Sequence, residues 1–180
     1  MRYSALGSDL FVENRKKFTA QMKPNSIAVF NSNDIYPVSA DSTLPFQQHR
    51  DIYYLSGLDQ EESIVLLFPD AQDESFREVA FVKETSALIA IWEGHKLTKE
   101  ETTKHSGIET VFWVSEFSSV FEKLMQQAQG LYINTNEHLR AKIETQTRED
   151  RFIDYAKNKY PNHIIAVSYT HLTLPTTPYV

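Results

Sequence analysis

Hydrophobic and polar positions alternate with two different periods along the chain, and together they outline a mixed α/β fold. Four apolar side chains fall on one face of a predicted amino-terminal helix, which Pro24-Asn25 ends: Leu10, Phe11, Phe18 and Met22. Short apolar runs bounded by turn-forming residues then predict strands at residues 26–30, 51–55, 63–68 and 76–82. The last three runs favour an antiparallel meander, and the polar stretch from residue 31 to 48 is expected to be a long ordered loop.

The second half of the chain has the pattern of strands that alternate with helices. Thr98 is placed to cap a short helix over residues 99–105, with Gly107 just beyond its end. A stronger helical pattern over residues 117–128, with Ser115 as its cap and Gly130 after it, lies between strand candidates at 110–114 and 131–134. This order predicts parallel pairing of the two strands.

A last helix is predicted at residues 148–159, where Thr147 and Asp150 form a capping-box pattern. The predicted fold class is therefore α/β, a mixed β-sheet flanked by helices.

Composition and charge narrow the class of protein. The chain has 180 residues with 41% hydrophobic content, enough for one core, and its net charge of −6 argues against nucleic-acid binding. Cysteine is absent, which removes disulfides and thiolate chemistry and fits a reducing compartment. The sequence shows neither a signal-peptide pattern at Met1 nor a membrane-spanning apolar stretch, so we expect a cytoplasmic protein with no membrane partner.

One segment has a distinctive order of residues. Residues 39–57, SADSTLPFQQHRDIYYLSG, combine a polar loop containing an Asp, an aromatic residue next to Gln, an aromatic-rich run and a closing Gly. Residues 59–63 then lead into an apolar run, and residues 91–97, IWEGHKL, carry an isolated tryptophan. This pattern resembles the amino-terminal domain of Xaa-Pro aminopeptidases, the aminopeptidase P group of the creatinase and prolidase family. The resemblance extends over about residues 10–165.

The resemblance implies a fold, an activity and a cofactor. The fold is the ribonuclease H-like amino-terminal domain of creatinase and aminopeptidase P, which we assign to residues 1–165. Intact family members release the amino-terminal residue that precedes proline, with two manganese ions held in a carboxyl-terminal pita-bread domain. We expect that catalytic domain to be absent from this chain.

The residues themselves offer no catalytic or metal site. The six histidines, at positions 49, 95, 105, 138, 163 and 171, are scattered and show no metal-ligand spacing, so surface or loop positions are expected for them. We expect neither catalytic nor metal-ligating residues, no cofactor in this chain, and no activity of the chain alone.

The character of the sequence changes at Ala166. Residues 166–180 contain no Asp, Glu, Lys or Arg and consist largely of Thr, Pro, Tyr and apolar residues. The string resembles translated adapter sequence, so we expect it not to belong to the fold and the chain to be truncated. A genuine extended tail is the alternative.

Trp92 and Asp41 are the two candidate substrate-binding residues. Family tryptophans in the segment that matches Trp92 are contributed to the active-site mouth of a neighbouring subunit, whereas the alternative is that Trp92 covers the edge of the core. The family Asp that matches Asp41 lies near the same mouth, and the alternative is a loop carboxylate that bonds its own backbone. Gln47 and His49 depart from the Arg and Asn that are common in the family.

Two classes of function follow. The first is the non-catalytic amino-terminal domain of a manganese-dependent Xaa-Pro aminopeptidase, which shapes substrate access and builds a homo-oligomer. Its partners would be its own catalytic domain and proline-containing peptides. A closely related alternative is that the domain belongs to a Xaa-Pro dipeptidase. The second is a non-enzymatic peptide- or histone-binding module of the same fold.

Overall fold

A six-stranded mixed sheet forms the centre of the molecule. The computed structural model describes residues 6–135 and 145–167. Its strands are β1 (Ser26–Asn31), β2 (Pro37–Ser39), β3 (Ser42–Thr43), β4 (Ile64–Leu67), β5 (Glu78–Val82), β6 (Thr110–Trp113), β7 (Gly130–Ile133) and β8 (Ile164–Val167). The large sheet has the order β6-β5-β4-β1-β7-β8, and β2 with β3 forms a separate hairpin. Within the large sheet β4 runs antiparallel to both neighbours, and the other neighbouring pairs are parallel.

Helices cover both faces of this sheet. They are α1 (Ser8–Thr19), α2 (Arg50–Ser56), α3 (Ala87–Glu93), α4 (Lys99–Ser106), α5 (Phe117–Met125) and α6 (Arg148–Lys159), with single 3-10 turns at Glu74–Phe76 and Val114–Glu116. The mixed α/β class predicted from the sequence is thus confirmed.

Alternate residues of each central strand enter two separate cores. Ile27 and Val29 of β1 pack with residues of α5 and α6, such as Phe121 and Ala156. Ala28 and Phe30 face the other way, into a core that includes Phe18 of α1 and the α2 residues Ile52 and Leu55. Burial of the strand on both faces explains the continuous apolar run of residues 27–30 in β1.

Most of the predicted helix boundaries are confirmed. Thr98 and Thr147 each form a complete capping box, with Glu101 and Asp150 respectively. Gly107 ends α4 in the left-handed conformation, with φ of 72°. The caps predicted for α5 are wrong, because its N-cap is Glu116 rather than Ser115, and Gly130 opens β7 instead of ending the helix.

The predicted strand at residues 51–55 is wrong, since this run forms α2. His49 caps the helix by accepting a hydrogen bond from the backbone N–H of Asp51, and Gly57 ends it with φ of 70°. Ile52 and Leu55, three residues apart, face the core, while Tyr53 is exposed and Tyr54 is half-buried. The β-branched and aromatic composition of the run favoured a strand, but the cap, the stop and the core contacts determine a helix.

The predicted pairing of the strands on either side of α5 is also wrong. β6 and β7 run in the same direction, but β5, β4 and β1 lie between them in the sheet. β6 pairs with β5 and β7 pairs with β1. The long loop predicted at residues 31–48 contains the β2-β3 hairpin.

Three predictions fall on positions outside the described residues. These are the start of the chain at residues 1–5, most of the tail at residues 168–180, and the histidines at positions 138 and 171.

Candidate functional site

The predicted site residue Trp92 lies on a helix that faces solvent. Ser86 caps α3 by accepting a hydrogen bond from the N–H of Ile89, and none of the α3 residues is buried. Three large apolar side chains are 69%, 74% and 84% exposed: Leu88, Ile91 and Trp92. Their spacing of three and four residues places them on one side of the helix. We call these three residues the α3 face.

An ion pair holds α3 against the body of the domain. Lys83, which follows β5, lies 2.7 Å from the Glu93 carboxylate at the end of α3 and 3.3 Å from Glu62. The hydrogen bond with Glu93 raises the pKa of Lys83 and lowers that of Glu93. One lysine therefore connects α3 to the turn before β4.

The same turn holds the segment that leaves α3. Lys96 pairs with the buried carboxylate of Glu61, and the N–H of Leu97 donates to the Gln60 side-chain oxygen at 2.7 Å. Residues 60–62 are thus linked to the end of α3 through Lys83 and contact the residues after α3 directly. These contacts hold the carboxyl-terminal end of α3 and the segment after it, and the apolar side chains of the α3 face remain exposed to a partner.

The environment of Trp92 differs from the one expected from its sequence neighbours. It lies in an apolar helix rather than among polar loop residues, and at 84% exposure it does not cover the edge of the core. Leu88 and Ile91 were not singled out from the sequence, although their spacing behind the Ser86 cap is a helical signal. The binding role of Trp92 stays a prediction.

Asp41 lies at the tip of the β2-β3 hairpin. The turn is formed by Ala40, whose φ is 50°, and by Asp41, and both residues are exposed. The hairpin also exposes Tyr36, Val38 and Leu44. Among the described residues, the Asp41 side chain has no hydrogen-bond or ion-pair partner. A free carboxylate at the tip of a hairpin can pair with an amine or a guanidinium, and this role also stays a prediction.

The loop that joins the hairpin to α2 is fixed by side chains. Gln48 donates to the carbonyl oxygens of Leu58 and Gln60 and accepts from the N–H of His49. The His49 side chain is 12% exposed, and its Nε2 lies 3.0 Å from the Glu149 carboxylate of α6. His49 therefore lies in a loop, as expected, but most of its ring is covered by neighbouring residues. The fold forms a carboxylate-histidine contact that the sequence spacing gave no means to predict.

The other described histidines make simpler contacts. His95 is exposed and lies 3.2 Å from Glu101, His105 is exposed, and His163 contacts the carbonyl oxygen of Ala128. Over residues 6–135 and 145–167, no three His, Asp or Glu side chains are arranged to hold a metal ion. The described residues therefore do not fit a dinuclear manganese centre.

Among the helices that the structure describes, none is both long and apolar enough to cross a membrane.

Two cavities lie beside α1 and α2, and the larger one also reaches α4. Their volumes are about 390 and 510 Å³, and both are lined by Leu6, Phe11, Tyr53 and Asp59. The larger cavity also includes His95 and Glu101. Neither cavity includes Trp92 or Asp41.

The sequence matches a known family of domains. The family model described as "Aminopeptidase P, N-terminal domain" matches residues 11–132. The Xaa-Pro aminopeptidase of Haemophilus influenzae is 28% identical over 127 residues, which cover 71% of this chain and 29% of that protein. The Xaa-Pro aminopeptidase of Escherichia coli is 26% identical over 128 residues, covering 71% of this chain and 28% of that protein.

Solved structures share the fold. A Bacillus anthracis protein assigned to aminopeptidase P superposes with a TM-score of 0.81 and 23% identity, covering 91% of this chain and 39% of that one. An Escherichia coli aminopeptidase P variant superposes with a TM-score of 0.68 and 23% identity, covering 87% of this chain and 33% of that one. The chain thus spans less than a third of the curated relatives and well under half of these structures.

Proposed function

Because this chain belongs to the aminopeptidase P N-terminal domain family, we propose that it is the non-catalytic amino-terminal domain of a manganese-dependent Xaa-Pro aminopeptidase. Such an enzyme releases the amino-terminal residue that precedes proline. The relatives named Xaa-Pro aminopeptidase support this assignment, and the matched residues span less than a third of their length. We propose that the chemistry belongs to a separate catalytic domain. The proposed partners are the domain's own catalytic domain, further copies of the chain and proline-containing peptides, in the cytoplasm.

The exposed α3 face is the observation that carries the proposed role. Trp92, Ile91 and Leu88 form a row of large apolar side chains on a helix that contributes no residue to the core. In water such a row is stabilised when another surface covers it. An indole is also a suitable platform for a proline ring or an extended peptide. We infer that α3 packs at the subunit boundary and that Trp92 forms part of the route by which peptides reach a neighbouring active site.

Asp41 complements this role electrostatically. Its carboxylate is exposed at the hairpin tip, where the free amine of a peptide or a basic side chain of the catalytic domain could approach it. The described residues do not fit a metal centre, so the two manganese ions would be held entirely by the catalytic domain.

A domain exchange tests this proposal. The matching domain of the Escherichia coli Xaa-Pro aminopeptidase is replaced by residues 6–167, and cleavage of Xaa-Pro peptides is measured. We expect an active enzyme in which Trp92→Ala lowers kcat/KM for longer peptides by about 5- to 100-fold, since loss of a buried aromatic contact costs ~1–3 kcal/mol. The matched control is Lys104→Ala, an exposed side chain on α4.

Two results would contradict the proposal. One is unchanged kinetics of the Trp92→Ala exchange enzyme at normal metal content and oligomer size. The other is micromolar binding of histone-tail peptides that contain no proline to the isolated 180-residue chain, which would favour the non-enzymatic binding module.

A further inference from the structure

A buried histidine and a buried glutamate join two helices that are distant in the sequence. His49 precedes α2, Glu149 lies in the first turn of α6, and their Nε2 and Oε1 atoms are 3.0 Å apart. The two side chains are 12% and 5% exposed. A contact this short and this dry depends strongly on which atoms carry protons.

The other ring nitrogen determines the tautomer. The backbone N–H of Asp51 donates to His49 Nδ1 at 3.2 Å, so Nδ1 has to present a lone pair. A neutral ring with a free Nδ1 carries its proton on Nε2, which then donates to Glu149. Only the neutral imidazole can cap α2 and bind α6 at the same time.

Glu149 lies where β1 and β7 end. Its Oε1 is 3.5 Å from the Asn134 amide nitrogen, and the Asn134 side chain also bonds the backbone N–H and carbonyl of Asn31. Charged groups surround the pair within the described part of the chain. On the loop after β1, on α2 and on α6 these are Asp34, Arg50, Asp51, Arg148, Asp150 and Arg151. Arg151 is paired with Asp34 at 2.7 Å, and no lysine or arginine among residues 6–135 and 145–167 forms an ion pair with Glu149.

Burial shifts the pKa values of His49 and Glu149 in opposite directions. It lowers the pKa of His49 to about 4, with a contribution from Arg50. It raises the pKa of Glu149 to about 7, with contributions from Asp150 and Asp51. Burial also raises the pKa of Asp51 to about 6. Between these limits the imidazole is neutral and the proton of the pair resides on the Glu149 carboxyl group.

We propose that His49 and Glu149 form a one-proton latch, in which folding transfers a proton from the imidazolium to the carboxylate and so joins α2 to α6 through an uncharged pair. In the unfolded chain at mildly acidic pH, His49 is charged with two N–H protons and Glu149 is an anion. In the folded chain His49 keeps the Nε2 proton and the Nδ1 proton has moved to the Glu149 carboxyl. The number of bound protons is the same in both states, so the latch has the same strength from about pH 4.5 to 6.5.

Nuclear magnetic resonance of the 180-residue chain tests the protonation state directly. His49 is assigned by the signal that His49→Asn removes. We expect the nitrogen shifts of a neutral Nε2–H ring at pH 5.5, and a titration midpoint below 5. An imidazolium signal at that pH, or a midpoint near 6.5, would overturn the latch.

Unfolding in urea at several pH values gives an independent test. His49→Asn keeps a helix cap but leaves the proton uptake of Glu149 uncompensated, so its unfolding constant relative to the parent should rise with pH, by up to about tenfold per unit between 4.5 and 6.5. Glu149→Gln leaves the proton loss of His49 uncompensated, so the same ratio should fall by up to about tenfold per unit between 4.5 and 6.5.

The double variant and a surface control complete the test. His49→Asn with Glu149→Gln should restore the pH dependence of the parent, and His95→Asn, which alters an exposed imidazole, should not change it. The proposal would be overturned if the ratio of unfolding constants changed with pH in the same direction in the two single variants, or did not change with pH in either. The resonance measurement on the parent chain decides the question if either variant does not fold.

Discussion

Lys83 shows how one side chain can position a surface that has no core beneath it. The seven residues of α3 include none that is buried, and a helix of this length is unstable in isolation. The pairing of Lys83 with Glu93 and Glu62 connects α3 to β5 and to the turn before β4. The orientation of Trp92 therefore depends on a residue nine positions earlier in the chain.

Replacing Lys83 should loosen α3 without unfolding the domain. In Lys83→Met we expect amide exchange of residues 87–93 to accelerate by roughly tenfold, because the ion pairs of Lys83 no longer oppose the local unfolding of α3. The thermal midpoint of the whole chain should change little, since the lysine is partly exposed. Hydrogen exchange with mass spectrometry measures the effect. The control is Lys104→Met, because Lys104 forms no ion pair with any of the described residues. Equal amide exchange of α3 in the two variants would show that Lys83 does not hold α3 in place.

At the level of single residues, the sequence was informative where the signal is local. The family resemblance of their segments identifies Trp92 and Asp41 as candidates, and both are exposed in the structure, while their binding roles stay predictions. The Lys83 anchor and the His49–Glu149 contact could not be found in this way. Their partners are brought together only by the tertiary fold, and single-sequence spacing carries no information on such pairs.

The helices on the second face of the sheet are joined by one buried arginine. Arg15 of α1 is fully buried and donates to the carbonyl oxygens of Leu55 and Ser106, at the ends of α2 and α4. Its Nε also lies 2.8 Å from the Glu78 carboxylate of β5. One guanidinium thus satisfies carbonyl groups at two helix ends and ties three helices to the sheet.

Removal of this guanidinium should be costly. We expect Arg15→Met to lower the free energy of unfolding by at least about 3 kcal/mol, because a half-buried carboxylate and two buried carbonyl groups lose their donor. Urea denaturation measures the change. Lys16→Met, at the adjacent exposed position, should shift stability by no more than about 0.5 kcal/mol. A loss below about 1 kcal/mol in Arg15→Met would show that water or neighbouring groups replace the guanidinium.

Elements with strong local signals were predictable, and elements decided by packing were not. The Thr98 cap and the Gly107 stop identified α4, and the capping-box pattern of Thr147 and Asp150 identified α6. The run at residues 51–55 has the composition of a strand, yet the His49 cap, Gly57 and the core contacts of Ile52 and Leu55 make it α2. The order of β6 and β7 in the sheet depends on which strands fit between them, which local sequence does not encode.

At the scale of the whole molecule, the two-sided core accounts for the fold and the exposed features account for the proposed role. Burial of both faces of the sheet makes the central strands continuously apolar, and the family signature in residues 39–57 could be found without a structure. The apolar α3 face and the hairpin tip lie outside those cores. They are the parts of the domain that remain available to a catalytic domain, a second subunit or a peptide.

A mixing experiment with the domain-exchange enzyme tests most directly whether Trp92 serves a neighbouring subunit. Subunits with Trp92→Ala are combined with subunits whose catalytic domain has lost a metal ligand, and cleavage of Xaa-Pro peptides is measured in verified mixed oligomers. We predict activity well above the sum of the two separate proteins, because the tryptophan of the metal-free subunit completes the intact site next to it. Mixed oligomers no more active than that sum would contradict the proposed role of α3 at the subunit boundary.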